Sequence, residues 1–358
     1  MSGASRALTG CLLGTAVGDA LGLPFEGISA RRQQRIMPRN LEHRLLFGRG
    51  MISDDTEHAA MTAQALIASG GDVHVFERLL AWKLRWWLVG IPAGTGLATL
   101  RAILKLWLGF SPSKSGVYSA GNGPAMRAPV LGVAYGSDPH KLCELVASCT
   151  RITHTDPKAY VGALAVAVAA YTASRQSETE NLTDWYLENV LPALEYAHLD
   201  SNEFLELFES VRVSIQSAQS TQNFACSIGL ERGVTGYINN TMPLLLNAWL
   251  SNPNDFEAAV TAAVRCGGDT DSVAAIVGGI VGSAVGEDGI PKVWLDRIAE
   301  YPRSIAWLKR VALCLAQVSE GQAHRKQIPL NPIAVFLRNL LFTGVVLSHG
   351  FRRLLPPY

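Results

Sequence analysis

Two short acidic segments carry the densest chemistry in this sequence. The first, 53–57, reads Ser-Asp-Asp-Thr-Glu, and the second, 267–272, reads Gly-Gly-Asp-Thr-Asp-Ser. Each places two carboxylates and nearby hydroxyls where a loop opens an apolar helix. Oxygen ligands of this kind favour hard cations such as Mg²⁺ or Mn²⁺ over zinc. If the two segments face each other, they predict a site for two divalent cations.

Helix capping is the alternative explanation of both segments. Asp54 as N-cap with Glu57 three residues later would form a capping box, and Asp271 or Ser272 could cap the second helix. Capping needs only one of these side chains, whereas both segments repeat the same acidic pattern. We therefore favour the metal hypothesis and keep capping as the competing interpretation.

A Gly-Asn-Gly turn at 121–123 and a histidine, His154, lie between the acidic segments. Glycines let backbone N–H groups approach an anion, and they permit the positive φ that such a nest needs. We expect the turn to bind a diphosphate group, and the alternative is an ordinary turn without a ligand. His154, flanked by two threonines, is either a ligand contact or a structural histidine.

The elements that must position these residues are helical. Apolar residues recur at three- and four-residue spacings, and no series of alternating strands is visible. The pattern predicts an all-α fold with helices at 57–68, 161–172, 204–218, 244–250, 256–265, 272–285, 305–318 and 333–347. Gly278, Gly282 and Gly286 follow each other at four-residue spacing. This stripe predicts a buried central helix that another backbone approaches closely.

Two stretches shift in composition, 174–181 as a surface loop and 322–332 as a linker. The prediction is one helical domain over 1–321 and a C-terminal extension over 322–358. The apolar segment 333–347 contains Arg338 and is shorter than the roughly 20 residues that span a bilayer. We therefore expect no transmembrane segment. A docked helix or a homo-oligomer contact is favoured, with a membrane-surface anchor as a lesser alternative.

The composition excludes several classes of protein. Lys+Arg 31 against Asp+Glu 30 gives a formal net charge of +1, which leaves no electrostatic footprint for nucleic acid. Hydrophobic residues make up 48%, enough for a thick core, so intrinsic disorder is excluded.

The six cysteines form no CxxC pair. We expect buried thiols in a reducing cytoplasm rather than disulfides or zinc ligands.

Five ordered motifs resemble those of the ADP-ribosylglycohydrolase family, which includes dinitrogenase-reductase-activating glycohydrolase and the ADP-ribosylhydrolases. The motifs lie at 10–26, 53–56, 121–127, 153–157 and 267–272. Their order and spacing hold from residue 10 to about 302. The tail beyond about 322 lies outside the resemblance.

The resemblance implies a compact, nearly all-helical domain with a binuclear metal centre. The residues that match the metal shell are Ser53, Asp54, Asp55, Asp269, Asp271 and Ser272, and those that match ADP-ribose contacts are Gly121, Asn122, Gly123 and His154. Glu26 matches an acidic position that guards the site, and its flanking Pro24 and Gly27 predict a loop. We assign catalytic roles to Glu26, Asp55 and Asp271, with a solvated surface charge as the alternative for Glu26.

The implied activity is hydrolysis of the ribose C1″ glycosidic bond of ADP-ribosylated protein side chains or small ADP-ribosyl compounds. Water activated by two Mg²⁺ or Mn²⁺ ions would be the nucleophile. The alternatives are an inactive ADP-ribose-binding or crystallin-like relative, and a metal phosphohydrolase. Arginine-specific members often carry an Asp two residues before a Gly. Gly94-Thr95-Gly96 stands here without an acid, which slightly favours another acceptor.

Overall fold

The computed structural model describes residues 2–176, 181–323 and 326–352. Across these ranges the regular elements are α-helices and short 3₁₀ helices, joined by loops with isolated β-bridges. The prediction of an all-α fold is confirmed. The surface loop predicted at 174–181 starts later than expected, because its preceding helix continues to Arg175. Positions 177–180 of that loop lie outside the described residues.

The helices of the N-terminal half are α1 (Gly3–Gly22), α2 (Ala30–Ile36), α3 (Asp54–Ser69), α4 (Val73–Val89), α5 (Leu97–Trp107), α6 (Pro112–Ser115), α7 (Ala128–Tyr135), α8 (Pro139–Arg151) and α9 (Pro157–Arg175). Those of the C-terminal half are α10 (Leu182–Tyr196), α11 (Asn202–Gln216), α12 (Thr221–Ser227), α13 (Ile238–Ser251), α14 (Phe256–Arg265), α15 (Thr270–Val285), α16 (Lys292–Asp296), α17 (Ile305–Ser319) and α18 (Pro332–Arg352).

The central pair of the core is α1 packed antiparallel against α15. A Cβ on Gly10 would lie 1.9 Å from the carbonyl oxygen of Gly282, and one on Gly14 would lie 2.1 Å from that of Gly278. The two backbones are therefore in direct contact, as the glycine stripe of α15 predicts. The same contact carries the C-terminal end of α1 to Thr270, at the start of α15. It thereby places the loop after α1 beside the second acidic segment.

Gly286 is the last member of this stripe. A Cβ on Gly10 would lie 2.7 Å from the Cα of Gly286, so the close backbone approach predicted from the three glycines is also present here. Gly286 lies just beyond the last residue of α15 with φ of +70°, so it also ends the helix.

The C-terminal helix α18 is longer than the predicted segment 333–347. Two helical segments in the described part of the chain are long and apolar enough to cross a membrane, Gly3–Phe25 and Pro332–Arg352. The most apolar 18-residue stretch of the first is wholly buried in the core, whereas 17% of the corresponding stretch of the second is buried. The length argument against a span at 333–347 is therefore wrong. Arg338 and Asn339 of α18 nevertheless face inward and are buried against the helical body.

The cysteines are reduced and only partly as expected. The four buried thiols are Cys11, Cys143, Cys149 and Cys266, while Cys314 is half-buried and Cys226 is exposed. Cys226 lies at the end of the short helix α12, where its side chain is not covered. The expectation of six buried thiols is wrong for this residue, and the cytoplasmic location stays a prediction.

Candidate active site

The first acidic segment opens α3, but its cap is Ser53. The hydroxyl oxygen of Ser53 accepts a hydrogen bond from the backbone N–H of Asp55 at 3.3 Å, and Asp54 is already helical. Glu57 makes no capping contact, since its carboxylate is bonded to Trp87 and to two arginines. The capping box predicted from Asp54 and Glu57 is therefore wrong. Both aspartates remain available to the cleft beside α3.

Asp19 of α1 holds this helix start in place. Its carboxylate accepts from the backbone N–H of Ser53 at 2.8 Å, and from the N–H and hydroxyl of Thr56 at 3.2 and 2.5 Å. Burial raises the pKa of Asp19 to about 6, against the opposing effect of these hydrogen bonds. We did not predict this role from the sequence. The available signal was a single carboxylate within the apolar helix α1.

The second acidic segment is folded by two glycines in left-handed backbone. Gly267 and Gly268 have φ of +72° and +81°, and a Cβ on either would lie within 2.6 Å of backbone atoms. Gly268 pairs with Ile28 on one side and Val234 on the other. Asp269 is the N-cap residue of α15, so the capping expectation for Asp271 or Ser272 is wrong. The loop is thus wedged between two chain segments with its acidic end facing the cleft.

The two acidic segments meet in a single cleft. The hydroxyl of Ser272 donates to Asp55 Oδ2 at 3.2 Å, which joins the start of α15 to that of α3. Asp54, Asp269 and Asp271 line the same cleft, which has a volume of about 420 Å³. The facing arrangement on which the metal hypothesis depends is present.

The carboxylates in this cleft perturb one another. Burial, followed by the neighbouring charges of Asp54, Asp19 and Asp269, raises the pKa of Asp55 well above its usual range. Burial and the charges of Glu26 and Asp55 do the same to Asp271. Such mutual repulsion is what a bound cation relieves.

The donor atoms fit a hard divalent cation. Asp55 Oδ1 and Asp271 Oδ1 are buried and have no hydrogen-bond partner, so each leaves a carboxylate oxygen for a ligand. In the ranges that the structure describes, however, no three His, Cys, Asp or Glu side chains are grouped so as to hold a metal ion. Serine and backbone oxygens, which also bind such ions, are outside that set. The fit therefore rests on the chemistry of the donors, and the metal shell stays a prediction.

The Gly-Asn-Gly turn forms the opposite wall. Asn122 donates from Nδ2 to Asp269 Oδ2 at 2.7 Å, and its backbone N–H is bonded to the carbonyl oxygen of Gly236 at 2.9 Å. Neither Gly121 nor Gly123 has a positive φ. A Cβ on these glycines would instead lie 2.9 and 3.1 Å from the His154 ring. The expected positive φ is therefore wrong, because these glycines make room for the histidine, while the approach of their N–H groups to an anion stays a prediction.

His154 is buried against this turn. Its Nδ1 lies 2.9 Å from the hydroxyl oxygen of Thr153, which also accepts from Arg127 at 2.7 Å. Burial, followed by the positive charge of Arg127, lowers the pKa of His154 to about 3. The imidazole is therefore neutral near pH 7, and its Nε2 edge lies beside Gly121 at the cleft.

Glu26 lies at the mouth of the cleft, one residue beyond the 3₁₀ turn that follows α1. It is exposed, and its charge contributes to the raised pKa of Asp271. Gly94 also lines the cleft, and a Cβ there would be 3.2 Å from Asp54 Oδ1. The Gly94-Thr95-Gly96 turn noted in the sequence is thus adjacent to the acidic cluster. Thr99 and Gly236 also line the cleft, and no sequence signal singled them out.

A family model described as ADP-ribosylglycohydrolase matches residues 3–325 of this chain. The chain belongs to the ADP-ribosylglycohydrolase family. The ADP-ribosyl-[dinitrogen reductase] glycohydrolase of Rhodospirillum rubrum is 25% identical to it over 301 residues, covering 82% of this chain and 90% of the relative. The ADP-ribosylhydrolase ARH3 of Bos taurus is 25% identical over 348 residues, covering 84% and 91%.

A solved structure supports the same assignment. An ADP-ribosylglycohydrolase-related protein complex contains a chain with a TM-score of 0.63 and 26% identity, covering 89% of this chain and 100% of the other. Membership of the ADP-ribosylglycohydrolase family and an ADP-ribosyl hydrolase class follow. The individual roles assigned to the cleft residues stay predictions, as does the division at residue 321.

Proposed function

We propose that this protein hydrolyses the ribose C1″ glycosidic bond of an ADP-ribosylated side chain or small compound and releases ADP-ribose. The observation that carries the proposal is the convergence of three distant segments on one cleft. Ser272 bonds to Asp55, and Asn122 bonds to Asp269. The two acidic segments and the glycine turn therefore form one continuous polar lining around the cleft.

The chain's own residues would bind and orient the substrate. The neutral His154 and the turn at 121–123 would contact the diphosphate and its ribose without adding negative charge. Asn122 would keep Asp269 fixed while the sugar enters. Glu26, at the mouth, would accept the proton of the attacking water as the bond from C1″ to the acceptor breaks, and that proton would then pass to the departing acceptor. Because the acidic wall faces the sugar, it would also favour the oxocarbenium character of the transition state.

Two divalent cations, Mg²⁺ or Mn²⁺, are proposed as cofactors. Their ligands would be drawn from Ser53, Asp54, Asp55, Asp269, Asp271 and Ser272. When bound, such ions lower the pKa of coordinated water and polarise hydroxyl groups of the substrate. The unpartnered oxygens of Asp55 and Asp271 support this assignment.

A substrate panel tests the activity. The purified protein is incubated with Mg²⁺ or Mn²⁺ and with ADP-ribosylated arginine, ADP-ribosylated serine and small ADP-ribosyl metabolites. We expect ADP-ribose release from at least one of them, and loss of release after chelation. No release from any substrate by protein shown to contain metal would contradict the proposal. Binding of ADP-ribose without turnover would favour the inactive relative, and release of AMP or phosphate would favour a phosphohydrolase.

The acceptor is proposed to be other than strictly arginine. The Gly94-Thr95-Gly96 turn has no carboxylate of its own for a guanidinium group, and the acid beside Gly94, Asp54, is assigned here to the metal ions. Equal or higher kcat/KM for ADP-ribosylarginine than for the serine conjugate would contradict this proposal.

We also propose a second copy of this chain as a partner. The outward face of α18 repeats apolar side chains at alternating spacings of four and three, namely Ile333, Leu337, Leu340, Leu347 and Phe351, with Gly344 in the same series. This is the spacing of a coiled-coil seam. Arg338 is turned inward, and the other arginine of the helix, Arg352, is its last residue. Over the rest of the helix, two copies could therefore pair without arginine side chains meeting.

Sedimentation measurements test this pairing. The double variant Leu337→Lys with Leu340→Lys should be monomeric where the unmodified protein is dimeric. Leu313→Lys, at an exposed apolar position of α17, is the matched control and should leave the dimer intact. A monomeric unmodified protein that binds lipid vesicles would contradict pairing and favour a membrane-surface role.

A further inference from the structure

The C-terminal helix α18 lies beyond the residues matched by the family model and yet contacts the cleft-lining segments of the domain. The match ends at residue 325, whereas α18 begins at Pro332. Its inward face meets three loops, and each loop leads directly into a residue of the candidate active site. The three contacts use different side chains of α18 and can be separated experimentally.

The first contact is made by Arg338 below the first acidic segment. Its guanidinium donates to the carbonyl oxygen of Ile52 at 2.5 Å and pairs with the carboxylate of Glu300. Glu300 in turn accepts from the backbone N–H of Ile52 at 2.8 Å. Both backbone polar groups of Ile52, the residue immediately before Ser53, are therefore held by this pair.

Arg338 also reaches the first turns of α3. It lies 3.3 Å from Glu57, whose carboxylate also binds Arg303 at 2.7 Å and Trp87 at 2.5 Å. The side chains of Arg338, Glu57 and Glu300 are at most 6% exposed. Removing one partner of a buried ion pair leaves an uncompensated buried charge, so loss of Arg338 should disturb the groups that it pairs with. The start of α3, which carries Asp54 and Asp55, is thus fixed from α18.

The other two contacts involve the neighbouring walls. Asn339 donates from Nδ2 to the carbonyl oxygen of Gly90 at 2.8 Å, four residues before Gly94. His349 Nε2 lies 3.2 Å from the carbonyl oxygen of Pro24, two residues before Glu26. Phe342 is buried between these points in a small apolar cluster with Leu23 and Met51.

We propose that α18 is a positioning element of the active site, with Arg338 as its principal positioning residue. It sets the relative placement of the loops that carry Glu26, the first acidic segment and Gly94. These loops form the part of the cleft where water and the acceptor meet. The inference rests on the proposed function for its catalytic meaning, but the placement itself is a property of the folded chain.

Amide hydrogen exchange on the full-length chain without substrate tests the placement directly. In Arg338→Met, residues 50–58 should exchange faster by about tenfold or more, while α9 and α13 exchange as in the unmodified protein. In Asn339→Ala, faster exchange should be confined to 88–96. Arg338→Lys keeps a cation but loses the fork geometry, so it should restore protection only in part. Leu337→Ala, on the outward face, is the matched control and should change neither segment.

Mn²⁺ titration by calorimetry gives a second readout. Arg338→Met should weaken metal affinity by about tenfold, the scale seen when residues behind metal ligands are removed. Unchanged exchange at 50–58 in folded Arg338→Met, or an equal increase over the whole chain, would overturn the proposal. If that variant does not fold, Asn339→Ala decides, and unchanged exchange at 88–96 would overturn it. A lack of ADP-ribose release by the unmodified protein would instead contradict the proposed function, because the exchange pattern needs no turnover.

Discussion

Asn122 Nδ2 lies 2.7 Å from Asp269 Oδ2, so the glycine turn and the second acidic segment are hydrogen-bonded across the cleft. The same amide group donates to the hydroxyl oxygen of Thr241 at 3.2 Å. Burial raises the pKa of Asp269, and the hydrogen bond from Asn122 opposes that rise. The residue that shapes the substrate wall therefore also opposes protonation of a carboxylate of the acidic wall.

Replacing Asn122 should disturb both the glycine turn and the second acidic segment, because its side-chain amide joins them. We expect Asn122→Ala to lower kcat and metal affinity by about 10- to 100-fold, as for other groups that orient metal ligands. Calorimetric Mn²⁺ titration and steady-state kinetics check this. Thr241→Val is the control, because it removes the second acceptor of the amide and leaves the Asn122–Asp269 bond in place. Wild-type metal affinity in Asn122→Ala would contradict the coupling.

Substitution of the acidic residues separates metal binding from helix capping. We expect Asp54→Ala and Asp271→Ala to abolish turnover and to lower the metal content measured by elemental analysis, since each loses an anionic ligand. Asp72→Ala is the matched control, because Asp72 caps α4 through the N–H of Val75 at 2.8 Å and lies outside the cleft. Its loss should cost about 0.5–2 kcal/mol of stability and leave activity measurable. Full activity of either cleft variant would refute the metal assignment.

The raised pKa of Asp271 predicts a pH-dependent stability. In the folded state burial and the charges of Glu26 and Asp55 hold this pKa well above its value in the unfolded chain. The folded protein therefore binds a proton that the unfolded chain has released. The stability that Asp271 contributes is fully present below about pH 4 and is lost as the pH rises through the folded-state pKa.

Asp271→Asn removes this titration. Without metal, the free energy of unfolding of the variant relative to the unmodified protein should increase between about pH 4 and about pH 7. With Mn²⁺ near pH 7 the order should reverse, because only the unmodified protein keeps the ligand. Urea titrations over this pH range, with chelator or with Mn²⁺, give both differences. If the difference in unfolding free energy between the variant and the unmodified protein changed neither with pH nor with metal, Asp271 would not be part of the charged cluster.

Glu26 is predicted to act on the proton of the attacking water. Glu26→Gln should keep the fold and most of the ADP-ribose affinity but lower kcat by about 10²-fold or more. The pH–rate profile should also lose one limb. Calorimetric ADP-ribose binding separates this outcome from a loss of substrate contact. Wild-type rates across the pH range would show that Glu26 is only a surface charge at the mouth of the cleft and has no catalytic role.

The contact between α1 and α15 predicts intolerance to a single methyl group. A Cβ on Gly14 would lie 2.1 Å from a backbone oxygen of α15, so Gly14→Ala should destabilise the fold by about 1–3 kcal/mol despite the higher helix propensity of alanine. Gly344 of α18 has no atom within 4 Å of its Cβ position. Gly344→Ala should therefore be neutral or stabilising by up to about 1 kcal/mol. Equal urea midpoints for both variants would contradict the direct backbone contact.

The sequence alone determined the features that depend on neighbouring residues. Helical periodicity predicted the all-α fold, because burial of one helix face needs apolar residues every three or four positions. Paired aspartates at two helix starts and the glycines of α15 marked the acidic wall and the close backbone approach. The ordered motifs identified the family for the same reason, since each of them is a short local pattern.

Other features were decided only by contacts between residues far apart in the chain. Asp19 lies 34 positions before Ser53, and Arg338 lies 281 positions after Glu57. No local spacing distinguishes a buried acid that anchors a helix start from one that caps its own helix. Arg338 interrupts an apolar segment. The sequence shows this interruption but does not reveal which carboxylates the arginine contacts.

The tertiary structure turns that arginine inward, because a buried cation needs carboxylate partners and Glu57 and Glu300 supply them. It likewise assigns Gly121 and Gly123 to the space beside the His154 ring. Spacing along the chain predicted which groups could do chemistry in this protein. Which of them face one another was decided by the packing of α1, α3, α15 and α18, because burial and charge pairing act between residues that the sequence does not bring together.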